Sequence, residues 1–370
     1  MAATDWLRRL KAFVGGLAAG GSVVPPAMGA TLPEDRAEAL IHSYDGGGVK
    51  ADGPAFLVRK SLADKVSFSG QYYVDAVSNA SIDVVTTASP FKETRKSYTL
   101  GADTVVRDAT LSVSMDKSSE PDYKADTWGL DVTQDTFGGM TTVALGFSRG
   151  RDDVGKKDIG FFDKATHWQY RAGVTQILSP RWLASLNFEA VSDEGYLGSP
   201  YRAARVFGAL IPERVPRTRS GRAVKLRAAG DVGGADTRTG LHAEWRHYWD
   251  NWDIKSDTLE VGGSKYFGES WLADGWLRYY KQGKALFYSD NAPAESLYVS
   301  RNRQLSTFHS VALGARGTWT PGGSWAKYGL KLNASYELRR FSFSDFTDLR
   351  TQKAYSYDAN IVQLYVTAAF

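Results

Sequence analysis

"IVQLYVTAAF" (361–370) sets two unlike faces against each other with a period of two. Val362, Leu364, Val366 and Ala368 fall on one side, Gln363, Tyr365, Thr367 and Ala369 on the other, and Phe370 follows. Such a segment is a strand between an apolar and a mixed environment. If the same surroundings hold for the whole chain, the alternation recurs and charge stays off one face.

It does recur. "VSFSGQYYVDA" (66–76), "SYTLGADTVV" (97–106) and "ATLSVSMD" (109–116) carry it, and so do segments around Leu130, Leu145, Ala172, Leu186 and Leu226. Further segments centre on Ala243, Leu259, Trp276, Val311 and Tyr336. With the last strand the sequence predicts about 14 strands, within bounds of 12–16. Connections such as "TFGGM" (136–140), "SPR" (179–181) and "FGE" (267–269) are short and rich in turn formers. Those alternating with them are mostly long: 79–96, 151–165, 192–221, 283–305 and 343–354. Within them "RGRDDVGKKD" (149–158) reads as a solvated, charge-balanced loop.

Charged residues make up 23% of the chain, yet the apolar face of these strands is almost free of them. A soluble sandwich also alternates, so strand length has to decide. Segments near ten residues suit a tilted membrane crossing, whereas soluble strands usually run to about five or six. The chain has no apolar run long enough for a membrane helix, and alternation in a barrel cancels in the average. Aromatics at strand ends (Tyr72, Trp128, Trp168, Trp182, Trp249, Trp271 and Trp319) fit lipid-facing interfacial girdles. The expected fold is therefore all-β: a single transmembrane antiparallel up-and-down barrel (66–370) with short periplasmic turns and long extracellular loops. Its site is the outer membrane of a Gram-negative bacterium. Val362, Leu364, Val366 and Phe370 are the expected C-terminal insertion signal, read by barrel-insertion machinery.

Residues 1–30 read as a cleaved signal peptide: Arg8, Arg9 and Lys11 precede an apolar stretch from Phe13 to Val24 and then "PPAMGA". The cut falls after Ala30 or after Gly29. Residues 31–65 are the least strand-like part, with a short helix expected near Pro33 and a turn at "YDGGG" (44–48). They are expected to be a periplasmic segment, either a lumen plug or a loose tail. Absence of cysteine excludes disulfides and thiolate sites, and the net charge of +4 is too diffuse for a nucleic-acid partner.

Positions alternating with the apolar face meet the lumen. Asp75, Asp103, Asp116 and Asp131 make an acidic wall there. Arg171, Lys225, Arg227, Arg246, Arg278, Arg316, Lys331 and Arg339 make a basic one. Such walls orient polar solutes in a wet pore or brace a narrow one by pairing across it. The leading function is a channel or plugged transporter for small polar or amphiphilic solutes. The alternatives are a non-transporting envelope scaffold and an outer-membrane hydrolase. No catalytic residue, cofactor or metal is assigned: His42, Asp45 and Asp52 sit on a Gly run too flexible for a preorganised metal site, and His167, His247 and His309 come without a nucleophile motif.

"HSYDGGGV" (42–49), "LVRKS" (57–61), "QYYVDAVSNASIDVVTTASPFKETR" (71–95) and "TTVALGFSRGRDDVG" (141–155) resemble an uncharacterised Gram-negative family, domain-of-unknown-function family 3570. The resemblance implies an outer-membrane barrel and no established activity. It also implies, through the family's gene neighbourhoods, a periplasmic lipoprotein or redox protein as partner, beside outer-membrane lipid itself.

Overall fold

A computed structural model describes residues 30–79, 91–233 and 237–370. The expected signal peptide, Ala30 apart, lies outside the described residues. Nine strands follow one another as hairpins: β1 (Arg36–Gly46), β2 (Val49–Leu62), β3 (Val66–Asn79), β4 (Phe91–Val106), β5 (Ala109–Glu120), β6 (Tyr123–Thr136), β7 (Thr141–Lys156), β8 (Phe161–Ser179) and β9 (Trp182–Gly195). A separate small hairpin, β10 (Ala203–Val206) and β11 (Ala209–Pro212), stands between β9 and the rest. The chain then completes the sheet with β12 (Thr218–Asp231), β13 (Thr239–Asp250), β14 (Lys255–Phe267), β15 (Trp271–Gln282), β16 (Phe308–Trp319), β17 (Lys331–Asp348) and β18 (Lys353–Ala369).

All neighbours are antiparallel, and β18 pairs with β1 from Arg36↔Ala369 to Gly46↔Ala359. The sheet is thus a closed barrel of 16 strands, and closure removes both edges. Among the described residues no helix is long and apolar enough to cross a membrane.

Two expectations need correction here, and they are the same one. The strand count rises from about 14 to 16 because residues 31–65 are neither plug nor tail: β1 and β2 are staves of the barrel. "RAEAL" (36–40) favours helix locally, but β1 is hydrogen-bonded on both sides, which overrides that preference. Pro54 would ordinarily argue against a strand. Here the β2–β3 ladder skips Gly53 and Pro54, and a side chain at Gly53 would meet the Val74 carbonyl oxygen at 1.8 Å.

The outward face is apolar through the middle of the wall: Phe56, Leu100, Leu130, Leu186, Leu277 and Leu313 are all exposed there. A contiguous apolar surface of this extent needs a cover of lipid or protein. The strands overrun the roughly ten residues of a crossing. As a result, much of the expected loops 151–165 and 343–354 is strand, and "RGRDDVGKKD" belongs mainly to β7.

Opposite the short-turn end, the long connections fold over the mouth. Trp252, Ile254, Ala285, Tyr288, Leu305, Phe308, Phe343 and Phe346 make an apolar core there. The β10–β11 hairpin docks onto the 283–307 connection through a Val206↔Ala292 bridge and a cluster of Ala204, Val206, Ala292 and Val299, and Arg214 just after it bridges to Val299.

Candidate functional site: a charged cavity beneath a loop roof

Alternation sends every second strand residue inward, and on one side of the barrel those residues fill the lumen. Tyr44, Val49, Ala51, Val77, Ala359 and Ile361 pack together. Beside them His42 Nε2 lies 2.6 Å from Asp75 Oδ1 and 3.0 Å from the Tyr73 hydroxyl, with both His42 and Asp75 buried. On the other side the lumen stays open as a cavity of about 1110 Å³. Strands β6 to β9 and β12 to β18 line it; β1 to β5 contribute nothing.

The two charged walls are therefore not a facing pair. Asp75, Asp103 and Asp116 lie away from the cavity. Asp103 accepts from Arg59 and from Ser112 Oγ at 2.5 Å, and Asp116 accepts from Thr99 Oγ1 at 2.7 Å. Asp131 alone of the four lines the cavity, where Arg171 donates to it at 2.7 Å. That pair lies flat on the wall because the residue between is Gly146, where an added Cβ would sit 2.2 Å from Asp131 Oδ1.

The expected basic residues are held mostly by carboxylates on the same wall, within a strand or one or two strands away. Arg246 reaches Glu189 at 3.3 Å, Lys225 Glu244 at 3.6 Å, and Arg278 Glu260 at 2.6 Å. Arg316 donates to Asp274 at 2.9 Å and Arg339 to Glu337 at 2.6 Å. Lys331 is exposed at the turn-end rim. Arg227 differs from all of these: it lines the cavity, half-buried, with no hydrogen bond or ion pair among the described residues.

Sequence reasoning missed the cluster around His167. Its Nδ1 lies 2.6 Å from Asp193 and its Nε2 2.8 Å from Asp152, which also accepts from the Tyr123 hydroxyl. One imidazole thus bridges two carboxylates, one at each ring nitrogen. Asp152 fell in an expected loop, so its inward direction was not readable; the signal was the alternation continuing through Gly150, Asp152 and Val154. Beneath the roof, strand ends and one connection add aromatic groups: Tyr248, Trp252, Phe308, Phe341, Phe343 and Tyr357 line the upper cavity. Beside it, burial pushes the Tyr196 phenol up to about 12, so it stays a neutral donor.

On the outer face, Trp271 and Trp319 stack at 6.0 Å at the turn end, and Trp182 covers Gly230 nearby. Nearer the loop end are Trp128, exposed, Trp168 under Arg149, and Trp249 stacked on His247 at 5.6 Å. Tyr72, nearer mid-wall, packs at a tilt against Tyr98, ring centroids 4.9 Å apart. Val362, Leu364, Val366 and Phe370 are exposed on the same face, with Lys60 Nζ 4.8 Å from the Phe370 ring. Among the described residues no group of three His, Cys, Asp or Glu side chains is placed to hold a metal ion.

Residues 156–331 match the model of a family described as a protein of unknown function, DUF3570. This is the family named above, and the match begins just past the last motif quoted for it. A bacterial polysaccharide outer membrane secretin superposes with a TM-score of 0.54 at 9% identity, covering 92% of this chain and 100% of that one. The siderophore receptor PirA from Pseudomonas aeruginosa gives 0.46 at 8% identity, covering 92% and 81%. The CymD monoaromatic hydrocarbon channel gives 0.45 at 9%, covering 92% and 89%. The first of these carries the likeness of fold to outer-membrane barrels. No curated protein matches the chain in sequence.

Proposed function

We propose that the protein is an outer-membrane channel, roofed at its extracellular mouth, for small polar or amphiphilic solutes. The observation that carries this reading is the placement of a cavity of about 1110 Å³, walled by charged side chains, inside a cylinder whose outer face is apolar. Water and solute belong in the one environment and hydrocarbon against the other. With the turns in the periplasm, the long connections face outward and the roof stands between the medium and the cavity. Val362, Leu364, Val366 and Phe370 then serve as the insertion signal, and the aromatic belts mark the two membrane interfaces.

Charge pairing along the wall supports conduction over bracing, because pairs within a strand or across one or two strands of the same wall leave the centre open. The five histidines face carboxylates or rings: His42 Asp75, His167 Asp152 and Asp193, His242 Glu260, His247 Asp257, and His309 Tyr279. These contacts support structural roles more than hydrolysis. The test is single-channel recording in planar bilayers with the whole barrel and with residues 286–301 replaced by a short Gly-Ser link. Stepwise currents that grow in the shortened form are expected. Silence from both would end the channel reading.

A further inference from the structure

Each carboxylate lining the cavity already has a donor. Asp131 takes Arg171, Asp152 and Asp193 share His167, and Glu189 takes Arg246. Glu213 accepts from Ser300, Glu244 pairs with Lys225, Glu260 with Arg278, and Asp274 with Arg316. No lining acid is left over to hold a cation. Arg227 is the converse: a permanently charged guanidinium facing the lumen without a partner among the described residues. Register puts it opposite Ser185 of β9 and Glu244 of β13, one inward step from Lys225, whose own β9 partner is Asn187. Ser185 adds a neutral hydroxyl beside it, and the guanidinium fork presents two parallel N–H groups to a planar anion.

Above this spot on the same strand, Ala223 lies opposite Tyr248, which begins the aromatic lining beneath the roof. Four residues of tilted strand separate the two levels by about 10 Å. We infer that the cavity binds organic anions with an apolar body, the carboxylate or other anionic head on Arg227 and the body against the aromatic groups below the roof. The site names the substrate class of the channel proposed above and rests on that reading for its transport role. Binding itself does not need transport.

Arg227 holds no neighbour in place, so Arg227→Glu and Arg227→Gln remove no ion pair and both barrels are expected to fold. In planar bilayers under a potassium chloride gradient, the whole protein should show a reversal potential of anion-selective sign. R227E should move it toward the cation side, with R227Q between. Phenylbutyrate should reduce the current, acetate should not at the same concentration, and R227E should weaken the phenylbutyrate effect at least about tenfold, as expected for a lost charged hydrogen bond. If the protein conducts and R227E changes neither selectivity nor block, the anion site is wrong and the channel stands. If it does not conduct, with or without its roof, the channel is wrong. Tryptophan fluorescence titration in detergent, reading Trp252 and Trp276 in the cavity wall, then decides the site. An at least tenfold weaker response to phenylbutyrate in R227E supports it, and equal responses overturn it.

Discussion

The Trp276 indole donates to Glu337 Oε2 at 2.9 Å although the two residues stand two strands apart. Gly314 is the residue between them, and the ring lies flat across it: an added Cβ would be 2.1 Å from Trp276 Cε2. Glu337 is buried and held also by Arg339. Gly314→Ala is therefore expected to lift the indole off the wall and cost about 1–3 kcal/mol, the usual range for overpacking. Trp276→Phe, which keeps the ring and loses the donor, should cost about 1.5–3 kcal/mol. Urea unfolding from lipid vesicles measures both.

Leu313 faces outward from β16 at mid-wall and is 64% exposed. If hydrocarbon covers it, Leu313→Arg costs about 2–4 kcal/mol. Thr175→Arg on the inner face of β8 should cost much less. Equal costs in the same vesicle assay would count against the membrane placement.

Arg301 fastens the roof. It is buried, pairs with Asp290 at 2.7 Å, donates to the Thr347 carbonyl at 2.6 Å and lies over Phe346. Arg301→Ala should leave the barrel folded and loosen the 283–307 connection. Rapid open-closed flicker in single-channel traces and faster tryptic cleavage at the exposed Lys284 are the expected readouts.

Asp35 precedes β1 and ties the seam at the turn end. Its carboxylate accepts from the Ser61 amide at 2.6 Å and pairs with Lys60 at 2.7 Å, while its carbonyl accepts from the Phe370 amide at 3.1 Å. Hydrogen bonds from Lys60 and then Ser61 hold its carboxyl below the ordinary value of 3.8. A lowered folded value means that the ionised form favours the native state. Its contribution is present above that ordinary value and lost as the pH falls through the lowered one. Asp35→Asn should flatten the acid side of a stability-against-pH curve in that window and leave the neutral side parallel to the parent.

Removing the imidazole between Asp152 and Asp193 leaves two carboxylates close together in a largely buried place. His167→Leu is expected to cost about 3–5 kcal/mol, as for a broken buried pair. Adding Asp152→Asn and Asp193→Asn should return most of it. A triple variant no better than the single would show that the cluster matters by shape alone.

Alternation at Leu100, Leu130 or Leu364 was enough to find the strands, because a wall with lipid on one side and water on the other prints its period on every stave. It failed at β1 and β2, where small outward residues (Ala37, Ala39, Ser43), Pro54 and the helix-favouring "EAL" blur the contrast. There only pairing with β18 and β3 decides the conformation. The lumen was legible as direction and not as company. Parity sends Asp131 and Arg171 inward, but nothing local says that Gly146 lets them meet. Nor does it say that Tyr44, Val49, Ala51 and Val77 pack together on one side while the cavity lies on the other, with Arg227.

Pairing between the first and the last stave has a consequence for biogenesis. Arg36 waits for Ala369 until every intervening hairpin has been laid down, so for most of assembly β1 offers a bare row of amides and carbonyls to whatever strand comes near. A handler that covers β1 and yields it only to β18 would prevent mispairing. A chain clipped within β18 would then stall with that handler engaged.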